Sequence, residues 1–381
     1  MELIELGSIL EMTKGKKPLK CVDTQREGYL PYVDIEAFEE HNYKQFTDGE
    51  KCLPCEEGDI LIVCDGSRSG LVGRAVKGYV GSTLAKISAK GMNSDYLYHF
   101  VQGKYALLNT RKKGTGTPHL NPELLKSQKL VVPSNVEQER IVKRIDEMFS
   151  ELDSGIDTLR KTREQLISYR QAVLKNAFEK IEGRKYKVKD VCTDIKVGIV
   201  IKPSQYYTTE DKGIKAFRSA NVREFHIDDF DWVYINDEGQ KANKRSIVHT
   251  GDVLIVRSGY PGTACVVDEG FDGCNAIDIL IAVPNQKLVI PDFLCAYTNS
   301  PLGKAYVSEK KRGVGQKHFN VGGYSVMDIN VPSIEKQKEI VMEISEKLSF
   351  CENIMQTVNV TLTQAEALRQ SILKEAFEGR L

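Results

Sequence analysis

Two stretches of the chain repeat apolar residues at the spacing of a helix seam. Ile145, Leu152, Leu159, Leu166 and Val173 recur every seven residues, with Phe149, Ile156 and Ala177 interleaved. Cys351, Val358, Ala365 and Ile372 do the same, interleaved with Leu348, Met355, Leu362 and Ala376. An average spacing of about 3.5 puts such side chains on one stripe, the seam of a coiled coil. Each stretch predicts a helix of about 45 residues, or about 65 to 70 Å at about 1.5 Å per residue. Pro133-Ser134 and Pro332-Ser333 precede the helices, Ser134 and Glu137 have capping-box spacing, and Gly183 and Gly379 sit where helices stop. Arg163, Arg170 and Arg369 interrupt the apolar seam and predict frayed or partner-facing stretches.

Elsewhere the apolar runs are short and bounded by glycine. "DILIV" (59–63), "LAKIS" (84–88), "KLVVP" (129–133), "DVLIV" (252–256), "TACVV" (263–267) and "ILIAV" (279–283) read as strands. Helical patches around Tyr96 to Leu108 and Phe293 to Val307 precede the basic segments at 111–113 and 310–312. The prediction is two mixed α/β domains separated by two long helices.

The chain is a duplication. "RKKGTGTPHLN" (111–121) returns as "KKRGVGQKHFN" (310–320), "VVPSNVEQERIV" (131–142) as "NVPSIEKQKEIV" (330–341), and "RQAVLKNAFE" (170–179) as "RQSILKEAFE" (369–378), each 199 residues later. "GDILIV" (58–63) and "GDVLIV" (251–256) correspond at an offset of 193. The helical halves keep register and the front halves diverge. The expected order is a first domain (1–134), a first spacer helix (135–183), a second domain (184–333) and a second spacer helix (334–381). A second helix that returns along the first makes the pair antiparallel within one chain.

With 53 basic and 53 acidic side chains the formal charge is zero, which excludes a globally basic binder. A local basic face remains open, because phosphate attraction acts over a Debye length of about 8 to 10 Å. Nine cysteines without regular spacing suit reduced thiols. No apolar run reaches about 18 residues, so a soluble cytoplasmic protein is expected, without membrane contact.

The glycine-rich loops "DGSRSGLVGRA" (65–75) and "RSGYPGTA" (257–264) follow matching strands and carry arginine and serine. Glycine lets backbone approach a ligand, and such side chains contact phosphate or base edges. Candidate DNA-binding residues are Lys16, Lys17, Arg68, Arg74, Arg111, Lys112 and Lys113 in the first copy. In the second they are Lys202, Arg218, Arg257, Tyr260, Lys310, Lys311, Arg312 and Lys317. His119 and His318 are expected to fix their own turns by side-chain to backbone hydrogen bonds. Cys52 and Cys55 lack the further ligands a structural zinc needs. No phosphate loop, dinucleotide fingerprint or amine-holding methyltransferase tetrapeptide occurs, so the chain is read as a binder with no cofactor or metal of its own.

In their order and duplication, "GTGTPHLN" and "GVGQKHFN", the following entries "VP-S-x-x-x-Q", and the helix ends "LKNAFE" and "LKEAFEGRL" resemble the specificity subunits of type I restriction-modification systems. The resemblance implies a non-catalytic reader of double-stranded DNA whose two target recognition domains each meet one half of an interrupted target. It implies two methyltransferase subunits that use S-adenosylmethionine to methylate adenine N6, and restriction subunits that translocate and cleave DNA with ATP and Mg. The alternatives are a stand-alone methyltransferase or nuclease, and a structural coiled-coil adaptor without DNA specificity.

Overall fold

The computed structural model describes residues 3–111, 118–311 and 318–380. They fall into two compact units, Met1–Leu159 with Asn359–Leu381, and Arg160–Val358.

In the first unit β1 (Leu10–Lys14), β2 (Ile60–Val63), β3 (Val72–Arg74) and β4 (Leu84–Ala89) form an antiparallel sheet in the order β1-β4-β2-β3. Strand β2 is apolar throughout because both its faces are covered. Ile60 and Ile62 pack with Tyr96, Leu97 and Phe100 of helix α1 (Ser94–Gln102), whereas Leu61 and Val63 pack with Val33 and Phe38 on the opposite face. Alternate residues of a strand point to opposite faces, so a continuous apolar run is what a doubly covered strand needs. Val33 belongs to a smaller sheet of Phe46–Thr47, Leu30–Val33, Gly78–Val80 and Pro54–Cys55. Leu3–Glu5 pairs with Lys129–Val131 just before the long helix α2 (Asn135–Glu179).

The second unit repeats this arrangement. β5 (Cys192–Val197), β6 (Val253–Val256), β7 (Ala264–Val266) and β8 (Ile279–Pro284) form the sheet β5-β8-β6-β7. Val253 and Ile255 face Phe293 of helix α3 (Pro291–Asn299), and Leu254 and Val256 face Phe217 of a second small sheet. Arg184–Lys187 pairs with Asp328–Val331 ahead of helix α4 (Ile334–Phe377).

The helices have the lengths the heptads require, 45 and 44 residues. In the first unit Ile141, Ile145 and Phe149 of α2 share a core with Ile372, Leu373 and Ala376 of α4. In the second, Val173, Leu174 and Phe178 share one with Ile340, Ile344 and Leu348. Of the seam residues, Ile145, Val173, Leu348, Val358 and Ile372 are buried, and Leu152, Leu159, Leu166, Met355 and Leu362 are half-buried. Fully burying one such aliphatic side chain contributes about 1.5 to 3 kcal/mol.

Arg170 and Arg369 are neither frayed nor turned outward. Arg170 donates to Glu352 at 3.1 Å, and Arg369 pairs with Asp153 while its guanidinium lies 4.4 Å from the Phe149 ring centre. Their charges are satisfied within the chain, so the half-polar seam holds. At the first long helix Glu137 is engaged with Arg140 rather than in a capping box, whereas at the second Ser333 Oγ accepts from the Lys336 N–H at 3.3 Å, and at both a glutamine fixes the start. Gln138, fully buried, accepts from the Asn93 N–H at 2.7 Å and donates to the Pro133 carbonyl at 2.9 Å. Gln337 accepts from the Ile290 N–H at 2.9 Å and donates to the carbonyls of Leu288 and Pro332. Each glutamine fastens a long helix to the N-terminus of the helix, α1 or α3, that covers the sheet.

Candidate nucleic-acid interface

One end of each four-stranded sheet gathers the basic and glycine-rich segments. In the first unit β1 leaves the sheet at Gly15, where a Cβ would lie 2.3 Å from the carbonyl oxygens of Val80 and Gly81. Only glycine permits that approach, and it delivers exposed Lys16 and Lys17 beside the end of β2. Gly198 does the same in the second unit, its Cβ position 2.3 Å from the Ala276 carbonyl oxygen, ahead of exposed Lys202.

The glycine loop and the basic loop form one composite. Asn109, just before the basic triplet, donates to the carbonyls of Ser67 at 2.9 Å and Ser69 at 3.1 Å. On the far side of the triplet, the Gly66 N–H donates to the Pro118 carbonyl at 2.8 Å and the Leu120 N–H to the Cys64 carbonyl at 2.7 Å. His119 Nδ1 lies 2.7 Å from Asp65 Oδ1, and Lys14 Nζ donates to Asp65 Oδ2 at 2.8 Å. Both ends of the basic segment are therefore fastened to the glycine loop. Burial pushes the Asp65 carboxyl up, but the hydrogen bonds from Lys14 and His119 outweigh it and hold the group below the usual carboxylate range.

The second unit repeats the fastening with other chemistry. The Phe319 N–H donates to the Arg257 carbonyl at 3.2 Å, and His318 Nδ1 lies 2.5 Å from Ser258 Oγ. Arg257 returns a bond from Nε to the Phe319 carbonyl at 3.0 Å and pairs with Asp278 at 2.5 Å. Asp278 is held at φ 51°, a left-handed conformation uncommon outside glycine. Both histidines thus clasp a neighbouring loop through its side chain, instead of bonding the backbone of their own turn. The reason is that the turn lies directly against the glycine loop, which brings Asp65 and Ser258 within reach.

The structure brings Lys16, Lys17, Arg68 and Arg111 to this end of the first unit, and Lys202, Arg218, Arg257 and Tyr260 to the corresponding end of the second. Tyr260 is 86% exposed at its loop tip, a ring free to stack. Arg68 pairs with Glu39, Arg218 with Asp231 at 2.8 Å, and Arg257 is only 15% exposed, so this arginine shapes the loop. Arg74 is not brought here: it faces Ile60 at the opposite end of β2, paired with Asp95. Lys310 lies 5.5 Å from the Tyr306 ring centre. Lys112, Lys113, Arg312 and Lys317 lie outside the described residues, as does the Lys311 side chain. Lys14, Asp65, Ser258 and Asp278 belong to the site and were missed in the sequence; the repeated His-x-Asn was the available signal for the clasp. Among the described residues no group of three or more His, Cys, Asp or Glu side chains could hold a metal, and no helix is long and apolar enough to cross a membrane.

Residues 1–166 match the family model of the type I restriction modification DNA specificity domain. The chain is 24% identical to the type I restriction enzyme EcoBI specificity subunit of Escherichia coli, an alignment spanning 99% of this chain and 85% of that one. It is also 24% identical to the MjaVIII specificity subunit of Methanocaldococcus jannaschii, over 100% and 92% of the two chains. A chain solved in work on complex assembly and conformational transition of the type I R-M system superposes with a TM-score of 0.80 at 18% identity, over 100% of this chain and 98% of that one. The HsdS subunit of Thermoanaerobacter tengcongensis gives 0.55 at 18% identity, over 100% and 97%.

Proposed function

We propose that this chain, which belongs to the specificity subunits of type I restriction-modification systems, reads a bipartite DNA target through the two loop composites described above. It is the non-catalytic DNA recognition component, and the readings as a stand-alone methyltransferase or nuclease, or as an adaptor without DNA specificity, are set aside.

The observation that carries the assignment is one scaffold used twice with different chemistry. Both units hold a glycine loop against a basic loop at the same end of the same sheet, yet one clasp is Asp65 with His119 and the other Ser258 with His318. Equal scaffolds imply equal docking on DNA, and unequal loops imply unequal half-sites. Residues 1–134 and 184–333 act as the two target recognition domains. Lys16, Lys17, Arg111, Lys112 and Lys113 contact phosphate in one half-site, and Lys202, Lys310, Lys311, Arg312 and Lys317 in the other. Tyr260 contacts base edges. Residues 135–183 and 334–381 set the distance between half-sites.

The partners are modification and restriction subunits. Two methyltransferase subunits carry S-adenosylmethionine, the restriction subunits use ATP and Mg, and the assembly works in the cytoplasm. Mapping methylated adenines in DNA modified by the assembled complex tests the reading. An interrupted motif with two different halves supports it, and methylation without sequence preference overturns it.

A further inference from the structure

The duplication allows side chains of one unit to be compared with their counterparts in the other. Arg74 faces Ile60 across β2 and β3 as Val266 faces Val253 across β6 and β7. Tyr96 and Phe100 pack on Phe377 as Phe293 and Tyr297 pack on Phe178. That alignment of α1 with α3 makes Asp95, Tyr98 and His99 correspond to Asp292, Cys295 and Ala296. The helix repeat relates Asp146 and Phe149 to Ser345 and Leu348.

In the first unit these positions form a continuous stack. Arg74 pairs with Asp95 and lies 4.4 Å from the Tyr98 ring centre. Tyr98 meets His99 edge-on at 5.3 Å, His99 meets Phe149 at 5.7 Å, and His99 Nε2 lies 3.0 Å from Asp146 Oδ1. In the second unit every counterpart but the aspartate is smaller or has lost its charge. Val266, Cys295, Ala296, Ser345 and Leu348 line a hollow of about 680 Å³ instead. Asp292 stays at its rim with no hydrogen-bond or ion-pair partner among the described residues. Glu352 also reaches the rim, but it already accepts from Arg170 at 3.1 Å, so Asp292 is the carboxylate left for a partner.

We propose that this hollow is a docking site for a partner protein that presents an arginine beside an aromatic ring. The partner supplies the pair of side chains that the first unit provides for itself as Arg74 and Tyr98. An aromatic ring buries about 150 to 250 Å² and needs an apolar floor, which Cys295, Ala296 and Leu348 provide. A guanidinium forms its strongest pairs with carboxylate, and Asp292 offers one whose first-unit counterpart already binds arginine. Arginine and aromatic anchors seated in such pockets carry most of the energy of protein interfaces. Because the first unit fills the same place with its own side chains, the chain offers this dock in the second unit and not in the first. The inference rests on the proposed function only in taking the partner to be another subunit of the same complex.

The test uses the full chain co-assembled with the other subunits of its system, with a photo-crosslinking residue at Ser349 on the wall of the hollow. The expected adduct joins Ser349 to a partner peptide holding an arginine within about one helical turn of a Tyr, Phe or Trp. Asp292→Asn is expected to weaken capture about tenfold. Ser345→Tyr, at an exposed position on the wall, fills the hollow from the chain's own side and is expected to abolish capture without lowering the melting temperature of the chain. An adduct peptide lacking either residue, capture indifferent to both variants, or no adduct from an assembled complex overturns the docking site. Sequence-specific DNA binding by the unsubstituted complex is read alongside. Its presence with any of those results overturns the docking site alone, and its absence overturns the functional reading.

Discussion

Arg170 donates to Glu352 at 3.1 Å, and Arg369 pairs with Asp153 as its image under the duplication. Arg369 follows Arg170, and Glu352 follows Asp153, by the same 199 residues. A residue of the first helix meets a residue of the second, and their counterparts meet with the roles exchanged. Each pair lies within its own unit, where α2 and α4 also share a core. Arg369→Glu is expected to cost about 1 to 2 kcal/mol, through the ion pair and the packing on Phe149. Adding Asp153→Arg is expected to recover the ionic part and leave the stacking part unrecovered. Thermal melts of the two single variants and the double variant check this.

Gln138 and Gln337 fasten the long helices to the sheet-covering helices. Gln138→Leu keeps the volume but leaves the Asn93 N–H and the Pro133 carbonyl without their partner. An unsatisfied buried polar group costs about 1 to 3 kcal/mol. A loss of about 2 to 4 kcal/mol is expected in melts, with faster hydrogen exchange at the Asn93 amide. Gln138→Glu retains the acceptor alone and should fall between.

Asp65 ties Lys14 and His119 to the glycine loop, and its folded pKa is depressed. Its stabilising contribution is therefore complete above the unfolded value of about 3.9, and is lost as pH falls through the lower folded value. The stability gap between the native chain and Asp65→Asn that is present at about pH 5 is expected to close as pH falls below about 4. Melting temperatures of both proteins across that range read it directly. A gap that persists in strong acid would remove the ionised carboxylate as its cause.

The basic triplet is assigned to phosphate. Replacing Arg111, Lys112 and Lys113 by Ala is expected to weaken binding to every DNA sequence, and to flatten the salt dependence by about 0.9 in slope for each phosphate no longer neutralised. Titrations at several salt concentrations measure that slope. An unchanged slope would move the triplet off the DNA.

Much of this architecture is legible in the sequence for physical reasons. Seam residues such as Ile145 and Val358 repeat at the helical period, and Ile60–Val63 is apolar throughout because two layers cover it. The duplication then doubles every signal. What stayed illegible depends on neighbours distant in sequence. Arg257 reads as an exposed phosphate ligand until Asp278 and Phe319 are seen to hold it. Arg74 sits among glycines like a loop residue, yet β3 carries it away to Asp95. His119 and His318 were tied to turns by their spacing, but their partners lie 54 and 60 residues away, at Asp65 and Ser258.

That each loop composite reads one half of the target is tested most sharply by an exchange of residues 1–133 for the corresponding segment of a relative with a different target. Methylated adenines are then mapped in the DNA that the assembled complex modifies. The expected outcome is that one half of the motif is replaced, while the other half and the gap between them stay the same. A motif in which both halves change together, or neither does, would show that the two composites do not read separate half-sites.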